Sequence, residues 1–191
     1  IIAVSKTFSL DYIKPLIDYG HTHFGENKVQ EAVQKWGDVK KNLRSVQLHM
    51  IGKLQSNKVK HAVSLFDYIH SLDNYKLAEK ISSEEKKIGK NLKIFIQVNI
   101  GNEEQKSGIR EHDLKDFHNF CSKKLNLNII GLMCIPPNVN ETRDFFLKMK
   151  KLNDSLQLHE LSMGMSLDYL DAINCGSTFV RIGSKIFGER N

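Results

Sequence analysis

The 191-residue sequence predicts an α/β fold, a single (β/α)8 TIM barrel that spans residues 1–191. Eight short apolar runs typical of strands recur along the chain, and segments with helical periodicity separate them. Parallel neighbours need a crossover connection, so strands that alternate with helices indicate a parallel sheet. No linker or repeated motif divides the chain, and eight units in this length favour a closed barrel over an open doubly wound sheet.

The predicted strands are the eight apolar runs. In chain order they are IIAVS (1–5), HTHFG (21–25), VQLHMIG (46–52), YIHSL (68–72), KIFIQVNI (93–100), NIIGLMCI (128–135), HELSMG (159–164) and TFVRIG (178–183).

The segments between the strands carry apolar residues at helical spacing. The longest stripes are Val29, Ala32, Val33 and Trp36, and then Val59, Ala62, Val63 and Phe66. Shorter apolar stripes begin at Ile13, Leu77 and Phe145. Polar residues suited to capping a helix N-terminus stand at Ser56, Asn74 and Ser166.

Composition narrows the class of protein. The net charge of +6 comes from lysines that are mixed with acidic residues, as in KISSEEKKIGKNLK (80–93), which is typical of solvated helix faces and not of a nucleic-acid surface. No apolar run reaches the roughly 18–20 residues that span a membrane. Cys121, Cys134 and Cys175 are too scattered for a disulfide framework or a metal site and fit a reducing cytoplasm.

Two expectations concern the ends of the chain and its assembly. The sequence begins directly on a strand without a methionine, so we expect that some N-terminal residues are missing. No predicted helix shows a surplus apolar face, which favours a monomer.

Polar residues and glycines collect after the predicted strands, where a barrel places its chemistry. The strand ends read Ser5-Lys6-Thr7, Gly25-Glu26-Asn27, Gly52-Lys53, Ser71-Leu72-Asp73, Asn99-Ile100-Gly101, Ile135-Pro136-Pro137, Met163-Gly164-Met165-Ser166 and Arg181-Ile182-Gly183-Ser184.

The last two of these ends predict a phosphate site. LSMGMSLDYLDAI (161–173) and VRIGSKIFG (180–188) each place a glycine and a serine at the loops that bind phosphate in many barrels. Glycine lets the backbone N–H groups approach phosphate oxygens, and Ser166 and Ser184 add hydroxyl donors.

A phosphate site opposite Lys6 predicts a phosphorylated carbonyl ligand, because lysine forms Schiff bases with carbonyls. A free lysine is neutral in only about one molecule in 2,500 at pH 7, so Lys6 needs desolvation or a nearby cation to react. Arg181 ends the last strand, beside the first strand of a closed barrel, and is the candidate cation.

Several stretches together resemble the pyridoxal phosphate homeostasis protein family, whose barrel is similar to the N-terminal domain of alanine racemase. The stretches are AVSKT (3–7), HFGENKVQE (23–31), HMIGKLQSNKVK (49–60), HSLDNYKLAE (70–79), IQVNIGNEEQKSGI (96–109), GLMCIP (131–136), LSMGMSLDY (161–169) and VRIGSKIFGER (180–190). Against the family pattern, the chain lacks an N-terminal helix, has Leu167 where a small residue is usual and has Ser184 where threonine is common.

The resemblance implies that the cofactor is pyridoxal 5′-phosphate (PLP), held as a Schiff base on Lys6. It implies that Asn27 lies beside the ring, that Arg181 faces the pyridine nitrogen and that Ser166 binds the phosphate. The full set of cofactor-binding residues implied is Lys6, Asn27, Met165, Ser166, Arg181, Gly183 and Ser184. No metal site and no catalytic residue are predicted.

The function implied is intracellular PLP (vitamin B6) homeostasis without robust catalysis, with apo PLP-dependent enzymes as potential recipients and no nucleic-acid or membrane partner. The alternative is a small fold-type III PLP enzyme such as an amino-acid racemase. Arginine does not keep the pyridine nitrogen protonated, which weakens the ring as an electron sink, but alanine racemase has this arginine too, so arginine alone does not abolish catalysis. Racemisation also needs a second acid–base group, which alanine racemase takes from a C-terminal domain of its partner subunit, whereas this sequence ends at Asn191 after the last strand. A carrier is therefore favoured over a catalyst.

The roles of four features remain open. For His49 and His70, we favour buried core histidines over catalytic ones. Glu26 either orients Asn27 or, as we favour, caps the following helix. Gln55–His61 is either the basic start of an exposed helix or a contact surface, and Asn99–Ser107 matches the family without an assigned role.

Overall fold

The computed structural model describes residues 1–138 and 141–188, and its eight parallel strands close into a barrel. The strands are β1 Ile2–Val4, β2 His23–Glu26, β3 Gln47–Met50, β4 Tyr68–Leu72, β5 Lys93–Gln97, β6 Ile129–Met133, β7 Glu160–Met165 and β8 Phe179–Ile182. The barrel closes because β8 pairs with β1, with Arg181 opposite Ile2. The predicted (β/α)8 barrel is confirmed, and the open doubly wound alternative is wrong. The end of the last family stretch, residues 189–190, lies outside the described residues.

Helices connect the strands on the outside of the barrel. They are α1 Leu10–Asp18, α2 Val29–Trp36, α3 Val39–Asn42, α4 Val59–Leu65, α5 Tyr75–Ile88, α6 Leu114–Asn119, α7 Arg143–Ser155, α8 Tyr169–Asn174 and α9 Ser184–Phe187. The stripe from Val59 to Phe66 is fully buried, as predicted. On α2 the stripe is narrower than predicted, because Val33 is 39% exposed.

One of the three predicted helix caps is confirmed. Asn74 begins α5, and its side chain accepts a 2.9 Å hydrogen bond from the backbone N–H of Leu77. The prediction of a cap at Ser56 is wrong because a 3₁₀ turn already begins at that residue. The prediction of a cap at Ser166 is wrong as well. A hydrogen-bonded turn from Met165 to Asp168 follows this residue, and α8 begins only at Tyr169.

The barrel interior is aromatic and polar, whereas the larger apolar core lies between the strands and the helices. Alternate residues of β4 show this division, since Ile69 packs in the outer core while Tyr68 and His70 face inward. The His70 ring stacks on Phe95 with 4.3 Å between ring centroids. The interior thus brings buried polar groups from different strands together below the open end of the barrel.

The surface differs from expectation at one helix. Leu170 and Ile173 of α8 are 61% and 46% exposed, and Leu167, just before the helix, is 98% exposed. The prediction that no helix has a surplus apolar face is wrong, because the short α8 packs only part of its circumference on the barrel. Among residues 1–138 and 141–188, no helix is long and apolar enough to cross a membrane.

Candidate functional site

A cavity of about 900 Å³ lies at the end of the barrel where the strands end. All seven residues that the sequence singled out line it: Lys6, Asn27, Met165, Ser166, Arg181, Gly183 and Ser184. They come from the segments after β1, β2, β7 and β8 and from the ends of β7 and β8 themselves. The fold therefore brings together side chains that are as much as 178 positions apart in the sequence (184 − 6).

Lys6 projects from a short turn after β1. The preceding residue, Ser5, stays in the sheet, since its N–H donates to the carbonyl oxygen of Gly25 at 3.0 Å. The following residue, Thr7, has φ +70°, a left-handed conformation that side chains with branched Cβ atoms rarely adopt. The turn lets the lysine leave the strand and reach the cavity wall.

Asn27 lies at the cavity wall because the loop after β3 packs directly on its backbone. A Cβ atom at Gly52 would collide with the Asn27 carbonyl oxygen. Glycine at position 52 is thus required for this close approach. The distance between the two loops is set by backbone atoms, and the Asn27 side chain remains available to the cavity.

The two loops predicted to bind phosphate touch each other. The backbone N–H of Gly183 donates to Ser166 Oγ over 3.3 Å, which leaves the serine hydroxyl hydrogen available for an acceptor in the cavity. Gly164 has φ +92°, and a Cβ there would lie 2.5 Å from the Ala172 Cβ atom, so glycine allows β7 to turn tightly into α8.

Charged residues of both signs line the cavity. Sequence reasoning missed Asp168 and Asp171, two carboxylates on the same side as the glycine–serine loops. Carboxylates oppose the binding of an anion, but Lys6, Lys106 and Arg181 also line the cavity and outnumber them. The remaining lining is largely apolar, with prolines and branched aliphatic residues, as is usual for a small-molecule site.

Lys106 was also missed, although it lies in the Asn99–Ser107 stretch that matches the family. Its Nζ atom pairs with the Glu103 carboxylate at 2.5 Å and contacts the Pro136 carbonyl at 3.3 Å. Asn99 holds this loop, because its side chain donates to the Glu103 carbonyl at 2.8 Å and accepts from the Glu103 N–H at 3.2 Å. The Asn99–Ser107 stretch therefore shapes one wall of the cavity.

Arg181 is almost completely buried between the cavity and the barrel interior, with 5% of its surface exposed. Nη1 donates to Ser162 Oγ at 2.7 Å, and Nη2 donates to the Cys134 carbonyl at 2.9 Å. A guanidinium has five N–H groups, so these two bonds leave others for the cavity. Burial lowers the pKa of Arg181, while Cys134 and Asp168 act in the opposite direction. Arginine stays charged even so.

Below Arg181, hydrogen bonds of similar length join three histidines to Ser162. His70 Nδ1 lies 2.8 Å from Ser162 Oγ, His49 Nδ1 lies 2.9 Å from His70 Nε2, and His23 Nδ1 lies 2.9 Å from His49 Nε2. Burial is the main cause that lowers the pKa of all three, and it lowers those of His49 and His70 well below the ordinary value. The structure buries His49 and His70 completely and away from the cavity lining, in agreement with the core interpretation.

Glu26 has neither of the roles considered for it. Its Oε1 atom accepts hydrogen bonds from Ser5 Oγ at 2.7 Å, Trp36 Nε1 at 2.9 Å and Lys35 Nζ at 3.0 Å. The capping prediction is wrong because the Glu26 side chain points outward beneath α2 and meets the last turn of that helix. The i, i+4 spacing of Glu31 and Lys35 was the available sequence signal for a charged cluster here.

The other features have simpler outcomes. Gln55–His61 forms a 3₁₀ turn and the start of α4, outside the cavity lining. Cys134 and Cys121 are buried thiols, and burial raises the pKa of each to about 12, so neither is a reactive thiolate. Among the described residues, no group of three or more histidine, cysteine or acidic side chains is arranged to hold a metal ion.

The chain is similar to known proteins over its whole length. The family model described as "Alanine racemase, N-terminal domain" matches residues 1–191. The pyridoxal phosphate homeostasis protein of Aquifex aeolicus is 39% identical over all of this chain and 86% of that protein. The protein of the same name from Escherichia coli K12 is 36% identical, again over all of this chain and 86% of that one.

Solved structures extend the comparison. PipY of Synechococcus elongatus PCC7942, solved with PLP bound, superposes with a TM-score of 0.91 at 36% identity, covering 98% of this chain and 91% of that one. Alanine racemase of Clostridium difficile 630 shares the fold, with a TM-score of 0.76 at 12% identity over 99% of this chain and 52% of that one. The barrel, the arrangement of its cavity and these full-length relatives show that the chain belongs to the pyridoxal phosphate homeostasis protein family.

Proposed function

We propose that this protein binds PLP in the cavity and serves intracellular PLP homeostasis, with the cofactor held as a Schiff base on Lys6. The observation that carries the proposal is that Lys6 lines the same cavity as Arg181 and the two glycine–serine loops. The names of the relatives and the PLP-bound structure of PipY support the same ligand.

The residues present fit this cofactor. PLP supplies an aldehyde, an electron-withdrawing ring and a phosphate. The neutral amine of Lys6 would bond to the aldehyde carbon with loss of one water molecule. Ser166, with the backbone at Gly183 and Ser184, would hold the phosphate, and the remaining N–H groups of Arg181 would donate to the pyridine nitrogen. Asn27 and Met165 would line the space around the ring.

A carrier accounts for the site better than a catalyst. A buried arginine that only donates hydrogen bonds does not supply the proton that makes PLP a strong electron sink. Besides Lys6 and Arg181, the ionisable side chains on the described cavity wall are Lys106, Asp168 and Asp171. An amino-acid racemase would need one of these three as its second acid–base group. Incubation with alanine in D₂O tests this alternative, and we expect no enzyme-dependent exchange of the α-proton.

The finer parts of the proposal concern setting and assembly. We propose a single-domain barrel over residues 1–191 that acts in the cytoplasm and delivers PLP to apo PLP-dependent enzymes, without nucleic-acid or membrane partners. The three cysteines are unpaired and buried, in keeping with a reducing compartment. A monomer remains our prediction despite the exposed residues of α8, and light scattering tests it by giving the mass of one 21.9 kDa chain.

The visible absorbance of the protein incubated with PLP tests the proposed function. A Schiff base absorbs in the visible range, so the wild-type protein should turn yellow and keep its colour after gel filtration. Lys6→Ala should lose this band, whereas Lys53→Ala, which removes an exposed lysine outside the cavity lining, should keep it. A colourless wild-type protein, or a band of full strength in Lys6→Ala, would overturn the proposal.

A further inference from the structure

Lys35 and Glu26 form a buried ion pair directly behind the turn that carries Lys6. The two side chains are 8% and 0% exposed, with 3.0 Å between Lys35 Nζ and Glu26 Oε1. Removing two charges from water is costly, and replacing a buried pair by apolar residues often leaves a protein equally stable. The pair therefore calls for an explanation beyond the stability of the fold.

The pair holds the residue before Lys6. Lys35 Nζ donates to the Ser5 carbonyl oxygen at 2.8 Å, and the Ser5 hydroxyl donates to Glu26 Oε1 at 2.7 Å. Hydrogen bonds to charged groups are stronger than those between neutral groups. The backbone and the side chain of Ser5 are thus both fixed by the same two charged groups.

A second carboxylate on α2 holds the residue after Lys6. Glu31 Oε1 accepts a 2.5 Å hydrogen bond from the backbone N–H of Thr7, and it also lies 3.3 Å from Lys35 Nζ. Thr7 is the residue with φ +70°, which is unfavourable for threonine unless its surroundings hold it there. The cluster of Glu26, Glu31 and Lys35 therefore fixes both peptide neighbours of Lys6 while the Lys6 side chain lines the cavity on the other side.

Attachment of α2 to the barrel rests on apolar burial as well as on the hydrogen bond from Trp36 to Glu26. Trp36 on the same helix is completely buried and packs on Phe24 of β2 with 5.1 Å between ring centroids. Ala32 and Val29 of α2 are buried as well. Apolar burial of this extent contributes to holding the helix on the barrel independently of the Lys35 and Glu31 charges.

We infer that Glu26, Glu31 and Lys35 are positioning residues that set the direction of the Lys6 side chain and so favour its covalent bond to the cofactor. The inference rests on the proposed function, since it concerns the amine proposed to react. It separates two properties of the site: the cavity binds the ligand, and the cluster behind the turn presents the amine to the aldehyde. Preorganisation of this kind acts on the bond-forming step and not on the noncovalent contacts.

Two related ligands measure these properties separately. PLP carries an aldehyde and forms the Schiff base, whereas pyridoxine 5′-phosphate carries an alcohol in its place and binds only noncovalently. The affinity for each is measured by titration of the apoprotein, using visible absorbance for PLP and calorimetry for both ligands. The ratio of the two affinities reports the position of the Lys6 amine, and thermal unfolding reports the fold.

The main variant is Glu31→Ala, which removes the acceptor for the Thr7 N–H at a half-buried helix position where alanine is a good helix former. We expect PLP affinity to fall on the order of tenfold, as for loss of a hydrogen bond to a charged group, with pyridoxine 5′-phosphate affinity within about twofold of wild type. Glu31→Gln keeps an acceptor oxygen and should recover most of the PLP affinity. Gln34→Ala, an exposed change on the same helix, should match the wild-type protein for both ligands.

Lys35→Met tests the other side of the turn, where Lys35 holds the Ser5 carbonyl oxygen. It should lower the ratio of PLP affinity to pyridoxine 5′-phosphate affinity, even if it also lowers the unfolding temperature. Equal losses for both ligands in Glu31→Ala would overturn the inference, because the cluster would then support the cavity as a whole. Unchanged affinities would overturn it too. If the wild-type protein itself forms no Schiff base, the proposed function fails first and the inference falls with it, so the two failures are distinguishable.

Discussion

Arg181 donates a 2.7 Å hydrogen bond from Nη1 to the buried hydroxyl of Ser162, so the guanidinium at the cavity wall is held from inside the barrel. Ser162 also contacts His70, and through it the chain of imidazoles that ends at His23. The cation proposed to face the cofactor is thus connected to a row of polar groups, buried from Ser162 to His49 and half-buried at His23, that lies outside the cavity lining. Three of our predictions concern this row.

Replacement of Ser162 by alanine should destabilise the protein. The change leaves both Arg181 Nη1 and His70 Nδ1 without their buried partner, and each unsatisfied buried group costs about 1–3 kcal/mol. We expect the free energy of unfolding in urea to fall by about 2 kcal/mol or more. The control is Ser83→Ala on an exposed position of α5, which should change it by less than about 0.5 kcal/mol. Equal stabilities of the two variants would contradict the role of Ser162.

The three histidines should share one tautomer. Arg181 can only donate, so Ser162 accepts from it and gives its own hydrogen to His70 Nδ1. His70 then carries its proton on Nε2 and donates to His49, and His49 does the same toward His23. Nitrogen-15 NMR at pH 7 should show His49 and His70 neutral with protonated Nε2. Neutral rings protonated at Nδ1 would show that the row runs in the other direction, and a charged ring would contradict the assignment.

Stability should fall as the pH drops below the ordinary histidine value of 6.5. Burial lowers the pKa of His49 and His70 in the folded state, so below 6.5 the unfolded chain takes up protons that the folded protein does not. The two histidines make their full contribution to the free energy of unfolding above pH 6.5. This contribution is lost as the pH falls toward their lowered folded-state pKa values, with a slope of up to about 1.4 kcal/mol per pH unit for each histidine.

Urea unfolding between about pH 5 and 7.5, a range chosen around the ordinary value, measures this slope. His70→Gln should reduce it, whereas His61→Gln, at an exposed position of α4, should leave it unchanged. A free energy of unfolding that stays constant through the range in the wild-type protein would contradict neutral buried histidines.

The turn from β7 into α8 should depend on Gly164 for two separate reasons. Gly164→Ala would place a side chain at φ +92° and bring its Cβ atom within 2.5 Å of the Ala172 Cβ. Gly20→Ala meets a similar backbone strain, at φ +99°, but no atom within 4 Å. We expect Gly20→Ala to cost about 1 kcal/mol and Gly164→Ala at least about 2 kcal/mol more, since overpacking adds to the strain. Equal losses in thermal unfolding would show that the contact with Ala172 relaxes without cost.

The sequence predicts the barrel and the cavity lining well because both follow from short-range patterns. Apolar runs separated by helical stripes determine the strand order, and the strand order places Lys6, Ser166 and Arg181 at one end of the barrel. The limits of each strand are less predictable, since β1 ends at Val4 and β5 at Gln97, before the apolar runs do. Hydrophobicity does not mark these limits, and neither does the last hydrogen bond, because Ser5 and Val98 just beyond them still donate to Gly25 and Met133 of the neighbouring strands.

The supporting contacts behind the site could not be predicted in the same way. Glu26 looks like a capping residue because it precedes a helix, but only the pairing of β1 with β2 and the packing of α2 bring it to Ser5 and Lys35. The row of hydrogen bonds from His23 to Ser162 joins residues that are 139 positions apart in the sequence (162 − 23). Nothing in the local sequence around either residue indicates the other. Long-range side-chain pairing of this kind follows from the closed barrel and from no single motif.

The most direct test of the central claim is reduction of the PLP-treated protein with borohydride, followed by peptide mapping. Reduction makes the Schiff base permanent, so the modified lysine can be identified by mass. We predict one modified peptide, which contains Lys6 and carries the mass of the reduced cofactor. Modification at Lys106 in place of Lys6, or spread over surface lysines without preference, would contradict it.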